Sequence, residues 1–313
     1  MSEPALDPNI TTHELMAIDY RYHYDVEQLK SDWINLKKTT TFKKGSQFKP
    51  GMKLCQHFFP NFWEIQNNKG TSFADCWKDY DLMDDVLCWG KKGMSKVWLS
   101  WIRRAVFMRA SLPNSSFYRP HFSRQIILQT QKNTGLLFDP CAGWGGRMLG
   151  TVSAGWDYVG CEPNVATYNN LLKLIDFLGI KNNVTLYNIP VEEFDFDSVR
   201  NKVDVVLTSP PYFNLEVYTS DDNQSYQKYN TYQIWISNWL EPLIENCIRT
   251  LKTGGLSCWN AMNFSNTCKM ATDVIDIHSK LGYNIDYTLG FQSPIANIRT
   301  VKNKDLTYVF TKS

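Results

Sequence analysis

The stretch Leu136-Leu137-Phe138-Asp139-Pro140-Cys141-Ala142-Gly143-Trp144-Gly145-Gly146-Arg147 decides how the rest of the chain is read. A short apolar run that ends in a glycine-rich turn predicts a strand handing over to a helix. Glycines let the backbone turn sharply and let a ligand lie against it with no Cβ in the way. About twenty residues further on, where a ribose-binding acid is expected, Glu162 closes the run Tyr158-Val159-Gly160-Cys161. A carboxylate there can accept hydrogen bonds from both ribose hydroxyls of a nucleoside cofactor. A plain tight turn beside a surface Glu remains the bland alternative. The spacing is not G-x-G-x-x-G, and the third glycine that would serve close helix packing is missing. Nor is there a G-x-x-x-x-G-K-[ST] phosphate loop. The pattern favours a nucleoside-like cofactor without phosphates.

Outward from this turn, strand-like and helix-like segments alternate. Strands are expected at 136–139, 158–161, 184–187, 203–208, 256–260, 284–291 and 307–311. Helices are expected at 164–178, 232–251 and 272–281, the second broken by Gly254-Gly255. Such alternation implies an α/β fold with a mostly parallel, doubly wound sheet over residues 116–313. Residues 1–115 read differently, as a mixed accessory region with target recognition as a candidate role. They hold many aromatics, a Lys-rich loop from Lys37 to Lys53, and a basic, Trp-containing helix over 97–109.

The run Val203-Asp204-Val205-Val206-Leu207 leads directly into Thr208-Ser209-Pro210-Pro211-Tyr212. Two prolines remove two backbone donors. The carbonyls of Ser209 and Pro210 are then left to accept from another partner. An amino group on an aromatic ring is a poor nucleophile, because its lone pair is conjugated. Two acceptors gripping its N–H bonds favour a pyramidal nitrogen whose lone pair points at an electrophilic methyl. Tyr212 offers a face for a base to stack on. A strand ending in a Pro-rich turn is the plain alternative. In a doubly wound sheet both motifs fall at C-terminal strand ends, where ligands bind.

Composition sets the limits. With 43% hydrophobic and 20% charged residues, 313 residues suit a soluble globular chain with a sizeable core. A net charge of +2 permits a local basic patch but does not demand one. Among eight cysteines there is no C-x-x-C, and no His pair sits at zinc-ligand spacing, so free thiols and no metal are expected. The polar, acidic start and the lack of roughly 18 consecutive apolar residues point to a cytoplasmic protein with no membrane partner. The sequence leaves the oligomeric state open.

These motifs resemble the S-adenosylmethionine (SAM)-dependent amino-methyltransferases of nucleic-acid bases, especially the DNA methylases of exocyclic amines. The family's Asp-Pro-Phe-x-Gly-x-Gly is similar to Asp139-Pro140-Cys141-Ala142-Gly143-Trp144-Gly145, with Cys for Phe. Its [DNST]-Pro-Pro-[YF] matches Ser209-Pro210-Pro211-Tyr212. Phe117, Arg119 and Pro120 resemble the helix start that packs over the methionine end of SAM. Glu162, Pro163 and Asn188 sit where the family contacts ribose and adenine. The resemblance spans roughly 115–313. It implies a Rossmann-like class I SAM methyltransferase fold. The expected cofactor is SAM, with Glu162 on its ribose and Asp139 near its methionine end. The expected activity is DNA methylation at a base amine flipped into the Ser209–Tyr212 pocket, cytosine N4 ahead of adenine N6. RNA as substrate, or an inactive SAM-binding module that binds nucleic acid, are the competing readings.

Further candidates are less specific. The loop 213–232 is a lid or a solvated connection. Trp89, Trp98 and Trp101, with Lys91, Lys92, Lys96, Arg103 and Arg104, form either a stacking and phosphate-binding surface or a core-facing stripe. His121 is expected to pack near the cofactor rather than act as a base. Asn297, Arg299 and Lys302 are candidate phosphate contacts.

Overall fold

A computed structural model describes residues 5–40, 49–67, 69–91, 96–112, 115–218, 224–290, 293–295 and 306–313. The chain divides into two compact units. One comprises Met1–His23, Pro60–Ser116 and Asn214–Ser220; the other comprises Tyr24–Phe59, Phe117–Phe213 and Asp221–Ser313.

The larger unit is built on one eight-stranded sheet. Its strands are β1 (Leu136–Asp139), β2 (Asp157–Cys161), β3 (Val184–Tyr187), β4 (Val203–Thr208), β5 (Leu251–Ala261), β6 (Tyr287–Gly290), β7 (Ser293–Ile295) and β8 (Leu306–Thr311). Their order is β3-β2-β1-β4-β5-β8-β6-β7. The first five are parallel; β8 runs antiparallel to both β5 and β6. This is the Rossmann-like α/β sheet expected from the sequence. The order runs outward from β1 in one direction and from β4 in the other. The β1–β4 junction is therefore the point where crossovers change face, and ligands bind outside the carboxyl ends there. All six residues of β4 are buried, which suits its largely apolar sequence, and the one charge within it, Asp204, is paired with Lys132 at 2.7 Å and Lys252 at 2.8 Å.

The helices that bear on the site are α1 (Val26–Lys38), α2 (Met52–Phe58), α3 (Pro120–Gln129), α4 (Gly146–Ser153), α5 (Val165–Leu178), α6 (Glu241–Thr250) and α7 (Met270–Lys280). Pro120 opens α3, where its missing N–H costs nothing. Asn164 caps α5 through the Thr167 N–H at 2.9 Å. The long helix expected over 232–251 is not continuous. A short helix, Tyr232–Trp235, passes into a π-turn at Ile236–Leu240 before α6 begins. Pro242 is the cause: it has no N–H for the i→i−4 ladder. The helix expected from Val97 begins at Leu99, because Val97–Trp98 pairs antiparallel with Ala5–Leu6.

Residues 24–59, expected within the accessory region, pack in the larger unit. Buried Arg124 of α3 explains this. Its guanidinium donates to the carbonyls of Lys37 at 2.6 Å and Thr39 at 2.7 Å, and to that of Ser153 at the end of α4. One cation thus serves the C-terminal carbonyls of two helices, α1 and α4.

The smaller unit has an aromatic core of Trp63, Phe73 and Trp77 with Tyr20 against them. Arg103 is turned into this core, not toward a phosphate. It lies 4.4 Å from the Tyr22 ring centre and donates to the carbonyls of Tyr20 and Arg21. Trp89 is exposed and lies against Trp101 at 5.0 Å. Lys92, residues 41–48 of the Lys-rich loop, and Asn297, Arg299 and Lys302 lie outside the described residues. No helix among the described residues is long and apolar enough to cross a membrane.

Close helix packing is supplied by glycines outside the G-x-G-x-x-G spacing. A Cβ on Gly146 would stand 1.9 Å from the Tyr118 carbonyl oxygen. One on Gly150 would stand 2.3 Å from that of Pro120 and 2.5 Å from Ser123 Oγ. Four residues apart, they share one face of α4 and let the start of α3 lie on it. Gly150→Ala is expected to cost at least about 1–3 kcal/mol, the usual range for overpacking. Urea denaturation measures this, and an unchanged midpoint would contradict the backbone contact.

Candidate active site

The glycine turn is organised by charge as much as by glycine. Asp139 ends β1 with 0% exposure. Its Oδ2 accepts from Arg147 Nε at 2.7 Å and from the Tyr158 hydroxyl at 2.8 Å, and its Oδ1 accepts the Cys141 N–H at 3.2 Å. Arg147 Nη2 also donates to the carbonyls of Cys141 and Ala142. The carboxylate of Asp139 is therefore engaged inside the protein. Its direct effect is to shape the turn. Arg147 and Tyr158 were not singled out in the sequence, although Arg147 carried a signal. It sits in the first turn of α4, where a cation opposes the helix dipole and needs an anionic partner.

Gly143 and Gly145 both adopt positive φ, +56° and +71°. Between them the chain presents the Gly143 N–H to Glu162 Oε2 at 2.9 Å. Glu162 Oε1 accepts the Asn164 N–H, also at 2.9 Å. Glu162 is 8% exposed, and burial pushes its carboxyl up to about 7 despite these two donors. Each oxygen keeps a lone pair for a further donor. Asn188 reaches back from the end of β3 and donates to the carbonyls of Glu162 at 2.8 Å and Pro163 at 3.3 Å. The Ala142 N–H is held by the Cys161 carbonyl at 2.9 Å, and Pro140 is buried beside it. The Cys141 thiol is held well above its usual range by burial and by Asp139, which disfavours the thiolate.

Phe117, Arg119 and Pro120 lead into α3. The Phe117 ring meets Trp144 of the glycine turn edge-on at 5.4 Å. Tyr118 lies under the Arg147 guanidinium, 5.2 Å from its ring centre. His121 is buried, and desolvation with Arg119 nearby lowers it to about 4. A neutral imidazole there packs, as expected.

Ser209, Pro210, Pro211 and Tyr212 follow the end of β4, next to β1 in the sheet. Among the described residues, neither the Ser209 nor the Pro210 carbonyl accepts a backbone N–H. The Tyr212 ring is half-buried, edge-on to Phe264 at 6.0 Å. Phe213 has φ +48°, a strained value for a bulky residue, and its buried ring is fixed against Tyr232 and Trp235. Of the loop 213–232, residues 219–223 lie outside the described set, and Ser225–Lys228 is helical. Sequence reading also missed Asn260 and Thr307. Buried Asn260 of β5 donates to Ser209 Oγ at 3.5 Å and accepts from Thr307 Oγ1 at 3.0 Å.

Residues 203–313 match the model of a family described as DNA methylase, N6_N4_Mtase. The matched part begins at β4 and contains the Ser209–Tyr212 segment. It supports the resemblance to the N4/N6 amino-methyltransferases read from the motifs. No curated protein matches the chain. Solved structures with some likeness include TYW2 of P. horikoshii in complex with MeSAdo, at 14% identity and TM-score 0.41. That likeness covers 64% of this chain and 66% of TYW2, just under two thirds of the latter's length. A SAM-dependent O-methyltransferase from Thermotoga maritima matches at 14% identity and TM-score 0.41, over 65% of this chain and 69% of that one. The tRNA (m1A58) methyltransferase TrmI from Aquifex aeolicus matches at 11% and 0.41, over 64% and 72%. Likeness at this level says nothing about substrate.

Two predictions follow from the buried carboxylates. Asp139→Ala leaves the Arg147 guanidinium buried without its anion, and should destabilise the fold by about 3–5 kcal/mol. Chemical denaturation tests this, and a loss below about 1 kcal/mol would remove the pair from the framework. For Glu162, the raised folded value means its contribution to stability is full below its ordinary range and declines as pH rises through about 7. Donors from a bound diol favour the ionised form. Affinity for S-adenosylhomocysteine should therefore tighten between about pH 6 and pH 8, by at most about tenfold per unit. Glu162→Ala should flatten that profile and weaken binding by about 1.5–3 kcal/mol. Calorimetry across the range would expose a profile indifferent to residue 162.

Proposed function

We propose that the protein is a SAM-dependent methyltransferase that methylates the exocyclic amine of a base in DNA, cytosine N4 ahead of adenine N6. One observation carries the reading. The glycine turn with Glu162 and the Ser209–Tyr212 segment occupy C-terminal strand ends on the two sides of the β1–β4 junction. The match of residues 203–313 to the DNA methylase family supports the substrate class.

The donor set fits a nucleoside without phosphates. Glu162 retains lone pairs suited to two ribose hydroxyls, and Asn188 and Pro163 flank it. The guanidinium at the turn, Arg147, is spent on Asp139 and two carbonyls rather than offered to an anion. Phe117, Arg119 and Pro120, with Cys141, Ala142, Gly143 and Gly145, line the methionine end. SAM supplies a methyl made electrophilic by its sulfonium. The Ser209 hydroxyl oxygen and the Pro210 carbonyl hold the two N–H bonds of the amine, and Pro211 keeps the turn rigid. The Tyr212 face supports the ring. With SAM bound, the nitrogen lone pair held by Ser209 and Pro210 would take the methyl, and the sulfur would leave as the neutral thioether of S-adenosylhomocysteine. The amine then sheds a proton to water, so no strong base is required.

The test is transfer of labelled methyl to unmethylated duplex DNA and to total tRNA, followed by nucleoside mass spectrometry. Methylcytosine or methyladenine at the amine in DNA is expected. Label in tRNA alone would move the substrate to RNA, and label in neither would end the reading. Ser209→Ala should lower turnover by roughly 10²–10³-fold, as for the loss of one transition-state hydrogen bond. Tyr212→Ala should weaken base capture by about 1–3 kcal/mol, while Tyr212→Phe keeps most activity. Both alanine variants should bind S-adenosylhomocysteine as the parent does. A parental rate in Tyr212→Ala would remove this segment from the base pocket.

A further inference from the structure

We propose that Asn260 is a positioning residue for methyl transfer: it sets the Ser209 hydroxyl through a buried hydrogen-bond chain that begins at Tyr118, beside the glycine turn. The inference rests on the function proposed above. The chain runs Tyr118 OH to Thr307 Oγ1 at 3.4 Å, Thr307 Oγ1 to Asn260 Oδ1 at 3.0 Å, and Asn260 Nδ2 to Ser209 Oγ at 3.5 Å. Thr307 has one proton and gives it to Asn260, so Tyr118 is the donor to Thr307. Every bond then points toward Ser209, with the short Thr307–Asn260 bond at the centre and the two longer ones at either end.

The sheet fixes the members. Asn260 and Thr307 are direct partners in the antiparallel β5–β8 register, and Thr208, the residue before Ser209, pairs with Trp259. Asn260 is 2% exposed and Thr307 0%. A buried amide in an apolar sheet end is costly unless it is hydrogen-bonded, and here its two ends are used on two different segments. At its far end, Tyr118 carries the Arg147 guanidinium over its ring, and Arg147 holds the glycine turn through Asp139. The same chain therefore ties the proposed cofactor turn to the proposed amine-binding hydroxyl. With one lone pair taken by Asn260, the Ser209 oxygen keeps another for an amine N–H, in a fixed direction. Free rotation of this hydroxyl would let the grip on the amine lapse.

The test compares Asn260→Ala, Thr307→Val and Ser209→Ala, singly and with the double variant Asn260→Ala/Ser209→Ala. Thr307→Val is nearly isosteric and replaces the hydroxyl with a methyl, so it speaks even where Asn260→Ala fails to fold. Methyl transfer to unmethylated duplex DNA and total tRNA gives kcat and KM, and calorimetry gives affinity for S-adenosylhomocysteine. The expected result is a kcat loss of roughly 10- to 100-fold in Asn260→Ala, as for a misplaced reacting group. Thr307→Val should show a smaller loss of the same kind. S-adenosylhomocysteine affinity should stay within about twofold in both, and the double variant should be no slower than Ser209→Ala alone. Losses that multiply in the double variant, or that fall on cofactor affinity instead of kcat, overturn the positioning role. A parental kcat in Thr307→Val, with the parent active, overturns it while leaving the methyltransferase reading intact. A parent inactive on both nucleic acids overturns both.

Discussion

The Asp139–Arg147 pair is the interaction on which the site depends. Burying two charges costs several kcal/mol per ion, and the pair is tolerable only where the remaining donors and acceptors are met. Here they are met by the turn itself. Arg147 reaches the carbonyls of Cys141 and Ala142, and Asp139 takes the Cys141 N–H and the Tyr158 hydroxyl. The strand end, the turn, the first turn of α4 and the neighbouring strand β2 are thereby fixed to one another. The desolvated guanidinium is held in its charged form by Asp139. It also lies over the Tyr118 ring, which extends the same constraint to the segment entering α3.

Glycine is required around this pair for two separable reasons. Gly145 bends the backbone into a left-handed conformation that lets the chain enter α4 directly. Gly146 and Gly150 are needed for proximity, because any Cβ on them would collide with backbone carbonyls at the start of α3. The first reason was visible as a motif. The second depends on which helix lies on α4, and that is a property of the packed unit.

The same division explains what could be read in the sequence. The parallel strands β1 to β4 were legible because each is short, mostly apolar and followed by a turn; β5 was legible only from 256, because Lys252-Thr253-Gly254-Gly255 at its start reads as a helix end although it lies in the strand. The two motifs were legible because local chemistry defines them: glycines that bend, prolines that remove donors, an acid at a strand end. What remained hidden was long-range. Asn260 and Thr307 are ordinary polar residues until β5 and β8 pair and place them opposite each other. Residues 24–59 read as part of an accessory region, yet the carbonyls at 37 and 39 are held by Arg124, 85 or more positions away. The π-turn at 236–240 was local in cause but concealed by strong helical periodicity in the aromatic residues around it.

Asp139 and Glu162 show how one fold gives two neighbouring acids different work. Both stand at the ends of adjacent parallel strands, both are buried, and both accept backbone N–H groups from the glycine turn or its flank. Asp139 has a cation and a phenol in addition, so its acceptors are used within the protein. Among the described residues Glu162 has two amide donors, and burial prevails over them to push its carboxyl up to about 7. An acid left short of donors in this way gains most from a ligand that brings hydroxyls, because each new hydrogen bond offsets a desolvation cost already incurred on folding. The acid that is fully satisfied shapes the site, and the acid that is not satisfied is the one suited to receive the ligand.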